Sequence, residues 1–236
     1  EHLYLEVQAS LARPTEEGGI HLLCSTQHPT EVQTLVSEVL GLPFHEVVVE
    51  VRRMGGAFGG KETQAAPLAC LASLAAHKLG RPVKLRLPRS TDMAVTGKRH
   101  PFINQYQVGF RSDGRIDAVQ IDINGDCGCS PDLSDSIVDR AMFHSDNAYY
   151  YPAAKISGER WRTDKVSNTA FRGFGGPQGV ITAEAMLDDI ARVCQQDPLD
   201  TRLLNLYSGQ QTHYGQTVDG TTLREIMTRL RESSDY

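Results

Sequence analysis

Several signatures are missing from this chain, and each absence removes a class of function. No apolar run reaches the 18 or more residues of a membrane-spanning helix, so no bilayer crossing is expected. Basic residues are not in excess. The 24 Lys+Arg face 29 Asp+Glu for a net charge of −5, which excludes a general nucleic-acid binder. The cysteines Cys24, Cys70, Cys127, Cys129 and Cys194 are an odd and scattered set. They do not read as a disulfide framework, and they suit a reducing cytoplasm. Cys127-Gly128-Cys129 lacks the second pair that a zinc or iron–sulfur site needs, so it reads as structural. No H-x-x-x-H spacing exists, and His28, His100 and His144 read as capping, surface or packing residues. No G-x-S-x-G and no recognisable Ser-His-Asp order occurs. Internal repeats and low-complexity tracts are absent. The opening EHLYLE carries neither an initiating Met nor a signal pattern, so Glu1 reads as a cut point inside a longer protein.

What remains is an ordinary globular composition, 40% hydrophobic and 22% charged over 236 residues. That length allows one domain, or two lobes at roughly 1–165 and 166–236. Ile20–Cys24 predicts a short buried strand. His28-Pro29-Thr30 opens a helix with Pro in its first turn and Gly41 at its end. Val47–Val51 is β-branched and predicts a strand. The Ala-rich stretch Thr63–Leu79 predicts a helix stopped by Gly80, either beginning near Pro67 or kinked there. Pro82–Leu87 predicts a strand. Ile103–Phe110 and Arg115–Asn124 predict a hairpin about Ser112-Asp113-Gly114. Ile156–Arg162 predicts another strand. Helices are expected at Gln178–Gln195, from Asp197-Pro198 to Leu206, and at Thr221–Glu232. Mixed strands and helices with hairpins imply an α+β fold.

The informative stretch is RMGGAFGGKE, Arg53–Glu62. Gly55 to Lys61 fits G-x-x-x-x-G-K, the phosphate loop of nucleotide-hydrolysing proteins. That motif needs Ser or Thr next, to hold Mg²⁺ by its hydroxyl. Glu62 stands there instead. Its carboxylate would repel a phosphate about 4 Å away by ~1–4 kcal/mol. No strand ending in a metal-binding Asp follows. The phosphate-loop reading is therefore set aside. The glycines then have two readings. One is a backbone allowed close to a ligand, with its N–H groups exposed to anionic oxygens. The other is a tight connection with no ligand.

A second glycine loop, Ser167–Gly179 (SNTAFRGFGGPQG), follows the last expected strand. Phe174 sits between its glycines. It suits a plate for stacking a planar ligand or, equally, a core contact. Glu62 by itself reads as a partner of the following helix's dipole. Arg140 by itself reads as a surface or salt-bridged arginine.

Taken together, these segments are distinctive. Cys24-Ser25-Thr26-Gln27, RMGGAFGGKE, Gly97–Phe102 (GKRHPF), Ser136–Phe143 and SNTAFRGFGGPQG occur in an order that resembles the molybdenum-binding subunit of the xanthine dehydrogenase and xanthine oxidase family. The resemblance runs from EHLYLE to the C-terminus, as an internal fragment of such a subunit. It implies a molybdenum hydroxylase, in which a molybdenum carried by a pterin dithiolene (molybdopterin, in plain or dinucleotide form) converts a heteroaromatic C–H to C–OH with water. Electrons then pass through 2Fe-2S clusters to FAD. Carried onto this chain, it implies that Gln27, Phe58, Gly59 and Arg172 contact the cofactor. No side chain ligates the metal directly. Phe174 would stack on the purine, and Glu62 and Arg140 would hydrogen-bond its polar edges. Those types suit the task. A carboxylate and a guanidinium address N–H and C=O groups, and a cation stabilises negative charge developing on the ring.

The resemblance also implies partners: iron–sulfur and FAD domains or subunits, the rest of the molybdenum subunit, and a dimeric parent in the cytoplasm. Aldehyde oxidases, which are similar, typically carry less polar residues at the positions of Glu62 and Arg140, so the pair favours purine over aldehyde. The family's general base lies in a later Gly-Glu-Pro-Pro segment that this chain lacks, as does the second aromatic plate. The isolated 236 residues are therefore expected to be inactive. The rival readings are an aldehyde or other N-heterocycle hydroxylase and, in another class, a purine- or nucleotide-binding module without redox chemistry.

Overall fold

The computed structural model describes every residue from Glu1 to Tyr236. The chain forms two compact units. One gathers Glu1–His100, Cys127–Ser134 and Arg162–Arg172, and the other Pro101–Asp126, Asp135–Trp161 and Gly173–Tyr236. A single cut near residue 165 does not describe this division. Long strands and the second glycine loop pass from one unit to the other, so each unit is built from three separate segments.

The first unit is a four-stranded sheet with helices packed on it. Its strands are β1 (Ala9–Pro14), β2 (Ile20–Cys24), β3 (Val47–Glu50) and β4 (Val83–Arg86), in the order β3-β2-β1-β4. β1 runs antiparallel to β2 and β4, whereas β2 and β3 are parallel. The parallel pair needs a crossover, and α1 (Pro29–Leu40) supplies it. Pro29 lies in the first turn of α1, and Gly41 closes the helix at φ +66°. α2 (Ala66–Leu79) begins beside Pro67, so the proline opens this helix and does not kink it. Its buried face is Ala66, Ala69, Ala72, Ser73 and Ala76. These small side chains let the helix backbone approach the sheet residues Ala12, Ile20 and Leu22 of the same core. Ala69→Leu would overpack that seam at a cost of about 1–3 kcal/mol.

β1 and α3 (Arg89–Val95) were not legible in the sequence. β1 is an interior strand, yet it buries only Ser10 and Ala12 and has no β-branched residue to announce it. The residues before β1 are held by α3. Asp92 accepts hydrogen bonds from Tyr4 Oη at 2.6 Å and from the Gln8 N–H at 2.7 Å.

The second unit centres on β5 (Phe102–Phe110), β6 (Ile116–Gly128) and β7 (Ala154–Arg162), in the order β5-β6-β7. The expected hairpin is present, with Tyr106 paired to Ile121. Val119, Ile121 and Ile123 share a core with Ala183, Met186, Leu187 and Ile190 of α5 (Gly176–Cys194). α4 (Ser134–Phe143) adds Val138 and Ala141. Asp197 caps α6 (Pro198–Asn205) by accepting from the N–H groups of Leu199 and Asp200. α7 (Thr221–Ser233) follows. The α+β class is as expected, with one β–α–β crossover inside it. All five cysteines are free thiols.

Candidate functional site

In the first unit the chain leaves β3 and makes the first glycine loop before α2 begins. Gly56 and Gly59 have φ of +93° and +96°. Phe58, between them, has φ +56°, a conformation that a bulky residue rarely adopts. Holding it there costs about 1–2 kcal/mol, a strain that recurs at ligand-binding loops. The residue is 46% exposed, so burial does not repay the strain. The loop is fixed against the second glycine loop. The Arg172 N–H donates to the Phe58 carbonyl at 3.0 Å, and a Cβ on Gly59 would lie 2.7 Å from the Ala170 carbonyl oxygen.

Gln27 is tied to the same loop. Its Oε1 accepts the Gly59 N–H at 2.9 Å and the Lys61 N–H at 3.3 Å. Those two donors set the amide orientation, so the Nε2 donors are turned away from the loop. They meet no protein acceptor, and Gln27 is exposed. Arg172 is exposed as well, and its guanidinium has no protein partner. Gln27, the Phe58-Gly59 pair and Arg172, from three separate stretches of the sequence, are thus brought together.

Lys61 does what a phosphate-loop lysine cannot. It is fully buried, and its Nζ donates to the Glu6 carbonyl and to Ser25 Oγ, each at 2.7 Å. Its ammonium lies 4.7 Å from the centre of the Tyr4 ring. A lysine pinned inward by these partners is not available to a phosphate, so the rejection of that motif has a structural basis.

Glu62 departs from the reading as a helix-dipole partner. α2 starts at Ala66 and has no acidic residue in its first turn. The Glu62 carboxylate is half-buried and accepts no hydrogen bond from the protein. Burial pushes its carboxyl up from the ordinary value, Glu31 and Asp132 push in the same direction, and His28 opposes them. His28 is itself bound to Glu31, with Nδ1 2.7 Å from Oε2.

Arg140 and Phe174 belong to the second unit. Arg140 lies in the last turn of α4, exposed, with Nε 3.4 Å from His144 Nε2 and no ion pair. Phe174 has φ +47° between Gly173 and Gly175, both also at positive φ. A Cβ on Gly175 would lie 2.0 Å from the Ile137 carbonyl oxygen, so this loop packs directly on α4 one turn before Arg140. A Cβ on Gly176 would come within 3.9 Å of Arg140 Nε.

The chain belongs to the molybdopterin cofactor-binding domain family. The family's sequence profile matches residues 1–206. Xanthine dehydrogenase of Drosophila subobscura is 47% identical over 237 residues, covering all of this chain and 18% of that protein. Xanthine dehydrogenase/oxidase of Gallus gallus is 44% identical over 238 residues, again covering all of this chain and 18% of that protein. The chain therefore spans under a fifth of the length of these curated relatives. Among solved structures, quinoline 2-oxidoreductase from Pseudomonas putida 86 superposes with a TM-score of 0.90 at 26% identity, over all of this chain and 31% of that one. Aldehyde oxidoreductase from Desulfovibrio gigas does so with a TM-score of 0.90 at 27% identity, over 98% of this chain and 26% of that one.

The residues present fit such a cofactor. No group of three or more His, Cys, Asp or Glu side chains gathers to hold a metal ion. The loop offers instead hydrogen-bond donors without protein partners, on Gln27 and Arg172, beside a glycine backbone with no side chains to block approach. That donor set suits a metal whose ligands come from an anionic pterin. No helix is long and apolar enough to cross a membrane. Sequence reasoning missed Lys61's structural role, Asp132 and Arg99. Arg99 lies 4.0 Å from the centre of the Phe171 ring and donates to the Arg172 carbonyl at 2.7 Å. The motif GKRHPF, which contains Arg99, was the available signal.

Proposed function

We propose that this chain is part of a cytoplasmic xanthine dehydrogenase that hydroxylates hypoxanthine and xanthine to urate with oxygen from water. The identity of 47% with a xanthine dehydrogenase across the whole chain supports the reading. The observation that carries it is Glu62, a half-buried carboxylate with no hydrogen-bond donor in the protein. Such a group is costly to desolvate unless a ligand N–H meets it. A purine presents N–H groups at its edge.

The molybdenum–pterin group supplies the two-electron oxidation when bound. This chain's residues bind and orient. Gln27 Nε2 and the Arg172 guanidinium donate hydrogen bonds to the cofactor, and the Phe58-Gly59 backbone lines it. Glu62 accepts from the purine edge. Arg140, with no carboxylate partner, donates to an exocyclic carbonyl oxygen of the purine and stabilises negative charge developing there. Phe174 stacks on the purine face. The general base lies outside these residues. The complete protein adds 2Fe-2S and FAD partners and functions as a dimer.

The test uses the complete protein. Glu62→Ala and Arg140→Met are expected to lower kcat/KM for xanthine more than for a simple aromatic aldehyde. Equal losses on both substrates would sink the assignment of these residues to the purine. The 236-residue chain alone is expected to retain no molybdenum, and stoichiometric co-purifying metal would overturn that. The likeness to quinoline 2-oxidoreductase supports a second reading, an N-heterocycle hydroxylase with another preferred ring. Turnover of quinoline above that of xanthine would favour it.

A further inference from the structure

Asp132 lies in the short connection between β6 and α4, at φ +45°, and its carboxylate is shared by two distant segments of the first unit. Oδ2 accepts from Thr63 Oγ1 at 2.7 Å and from Gln64 Nε2 at 2.8 Å. Oδ1 accepts from Thr169 Oγ1 at 2.8 Å and from the Leu133 N–H at 2.7 Å. Thr63 and Thr169 also meet each other, with their hydroxyl oxygens 3.2 Å apart. Gln64 Oε1 in turn accepts the Gly97 N–H at 2.9 Å, and the Thr169 N–H donates to the Lys98 carbonyl at 2.9 Å. Four donors on one carboxylate saturate most of its acceptor sites. Charge-assisted bonds of this kind are the stronger class. Two of the donors come from the residues directly after Glu62, and a third stands three residues before Arg172.

We propose that Asp132 is a positioning residue for Glu62: it fixes the Thr63-Gln64 turn to Thr169 and so sets where the Glu62 carboxylate meets the purine. The inference rests on the purine reading of Glu62. The carboxylate has no bond of its own to the protein, so only its backbone neighbours can hold it. On the N-terminal side the Glu62 N–H donates to the Gly59 carbonyl at 3.3 Å and Lys61 is bound to Gln27, while on the C-terminal side Thr63 and Gln64 are held by Asp132. Removing the clamp frees the turn while leaving the bonds of Gln27 to Gly59 and Lys61 intact, because they do not pass through Asp132.

Asp132→Asn keeps the shape and replaces one accepting oxygen by an NH₂ group. At the Oδ2 position that NH₂ faces Gln64 Nε2 and at the Oδ1 position the Leu133 N–H, donors that cannot accept from it. In the complete protein, kcat/KM for xanthine is expected to fall about tenfold or more, chiefly through KM. The aromatic aldehyde should lose no more than about twofold, and the molybdenum-to-protein ratio should hold. Equilibrium titration with xanthine should show weaker binding by a similar factor. Thr63→Val, which deletes one donor, is the second variant, with a smaller loss of the same selectivity. Equal losses on purine and aldehyde, or loss of metal in both variants, would assign Asp132 a general structural role and overturn the proposal. Unchanged xanthine binding would overturn it also. Failure of the underlying reading is separate: the unaltered protein would then not oxidise xanthine at all.

Discussion

Gly59 donates its backbone N–H to Gln27 Oε1 at 2.9 Å, and this bond aims the other end of the same carboxamide. One atom of Gln27 organises the loop, and the other is left for a ligand. Gln27→Glu separates the two roles, because it keeps the accepting oxygen and replaces the donor with a second oxygen. The melting temperature of the 236-residue chain is expected to change little. Molybdenum-dependent turnover of the complete protein is expected to fall about 10–100-fold, the usual effect of losing an oriented partner of a metal site. Gln27→Ala should lower both. Full turnover in Gln27→Glu would remove Nε2 from the cofactor contacts.

Lys61→Met separates structure from ligand binding at the first loop. The substitution removes the bonds to the Glu6 carbonyl and Ser25 Oγ and leaves the Glu6 carboxylate without its cation. Glu6 is held below the usual carboxylate range. Burial pushes it up, but the hydrogen bonds from Ser25 and Gly55 and the charge of Lys61 outweigh that effect. Its side chain is 39% exposed, so water screens part of the loss. The expected destabilisation is about 2–3 kcal/mol, read from urea denaturation of the chain. A phosphate-binding lysine would give the opposite result, lost ligand with intact stability.

Much of this arrangement was legible in the sequence, and the rest was hidden for definite reasons. Pro29, Gly41 and Gly80 marked helix ends because their backbone chemistry acts locally, whereas Pro67 fitted a start or a kink equally and is a start in the structure. The hairpin was visible through alternation around Asp113-Gly114. β1 was not visible, because an interior strand covered by an Ala-faced helix needs only small side chains such as Ser10 and Ala12. α4 was seen only as the setting of Arg140. The glycine loops pointed to Gln27, Phe58, Gly59 and Arg172 through resemblance. The roles of Lys61 and Asp132 depend on partners as far as 69 residues away in the chain, which no local pattern encodes.

Glu62 carries a pH signature opposite in sign to that of a salt-bridged carboxylate. Its folded pKa is raised by burial, with Glu31 and Asp132 adding to the shift and His28 opposing it. Between the unfolded and the raised folded value, the native state binds more protons than the unfolded state. Stability therefore falls as pH rises through that window, and the penalty is fully present above the folded pKa. Glu62→Gln is expected to melt higher than the unaltered chain at pH 7. The gap should close as pH falls below the unfolded carboxylate range, about 4.3. The same variant should turn over xanthine more slowly in the complete protein, since a carboxamide is a weaker acceptor. A stabilised variant with full xanthine turnover would show that the charge has no part in binding.

Gly59→Ala tests whether the contact between the two glycine loops matters beyond stability. Gly59 has φ +96°, and an added Cβ would lie 2.7 Å from the Ala170 carbonyl oxygen and 3.1 Å from the Phe171 nitrogen. Both are backbone atoms and cannot swing aside, so the loops must part. The strain and the displacement together are expected to cost about 1–3 kcal/mol. Gly80→Ala is the control. Gly80 has φ +61° at the end of α2, but its Cβ would enter open space. Its cost is the left-handed backbone alone, about 1 kcal/mol. Both variants should therefore lower the melting temperature of the chain. Only Gly59→Ala should lower the molybdenum content of the complete protein, because only it moves Arg172 away from Phe58 and breaks the 3.0 Å bond between them. Equal metal content in the two variants would mean that the cofactor does not depend on the joined loops.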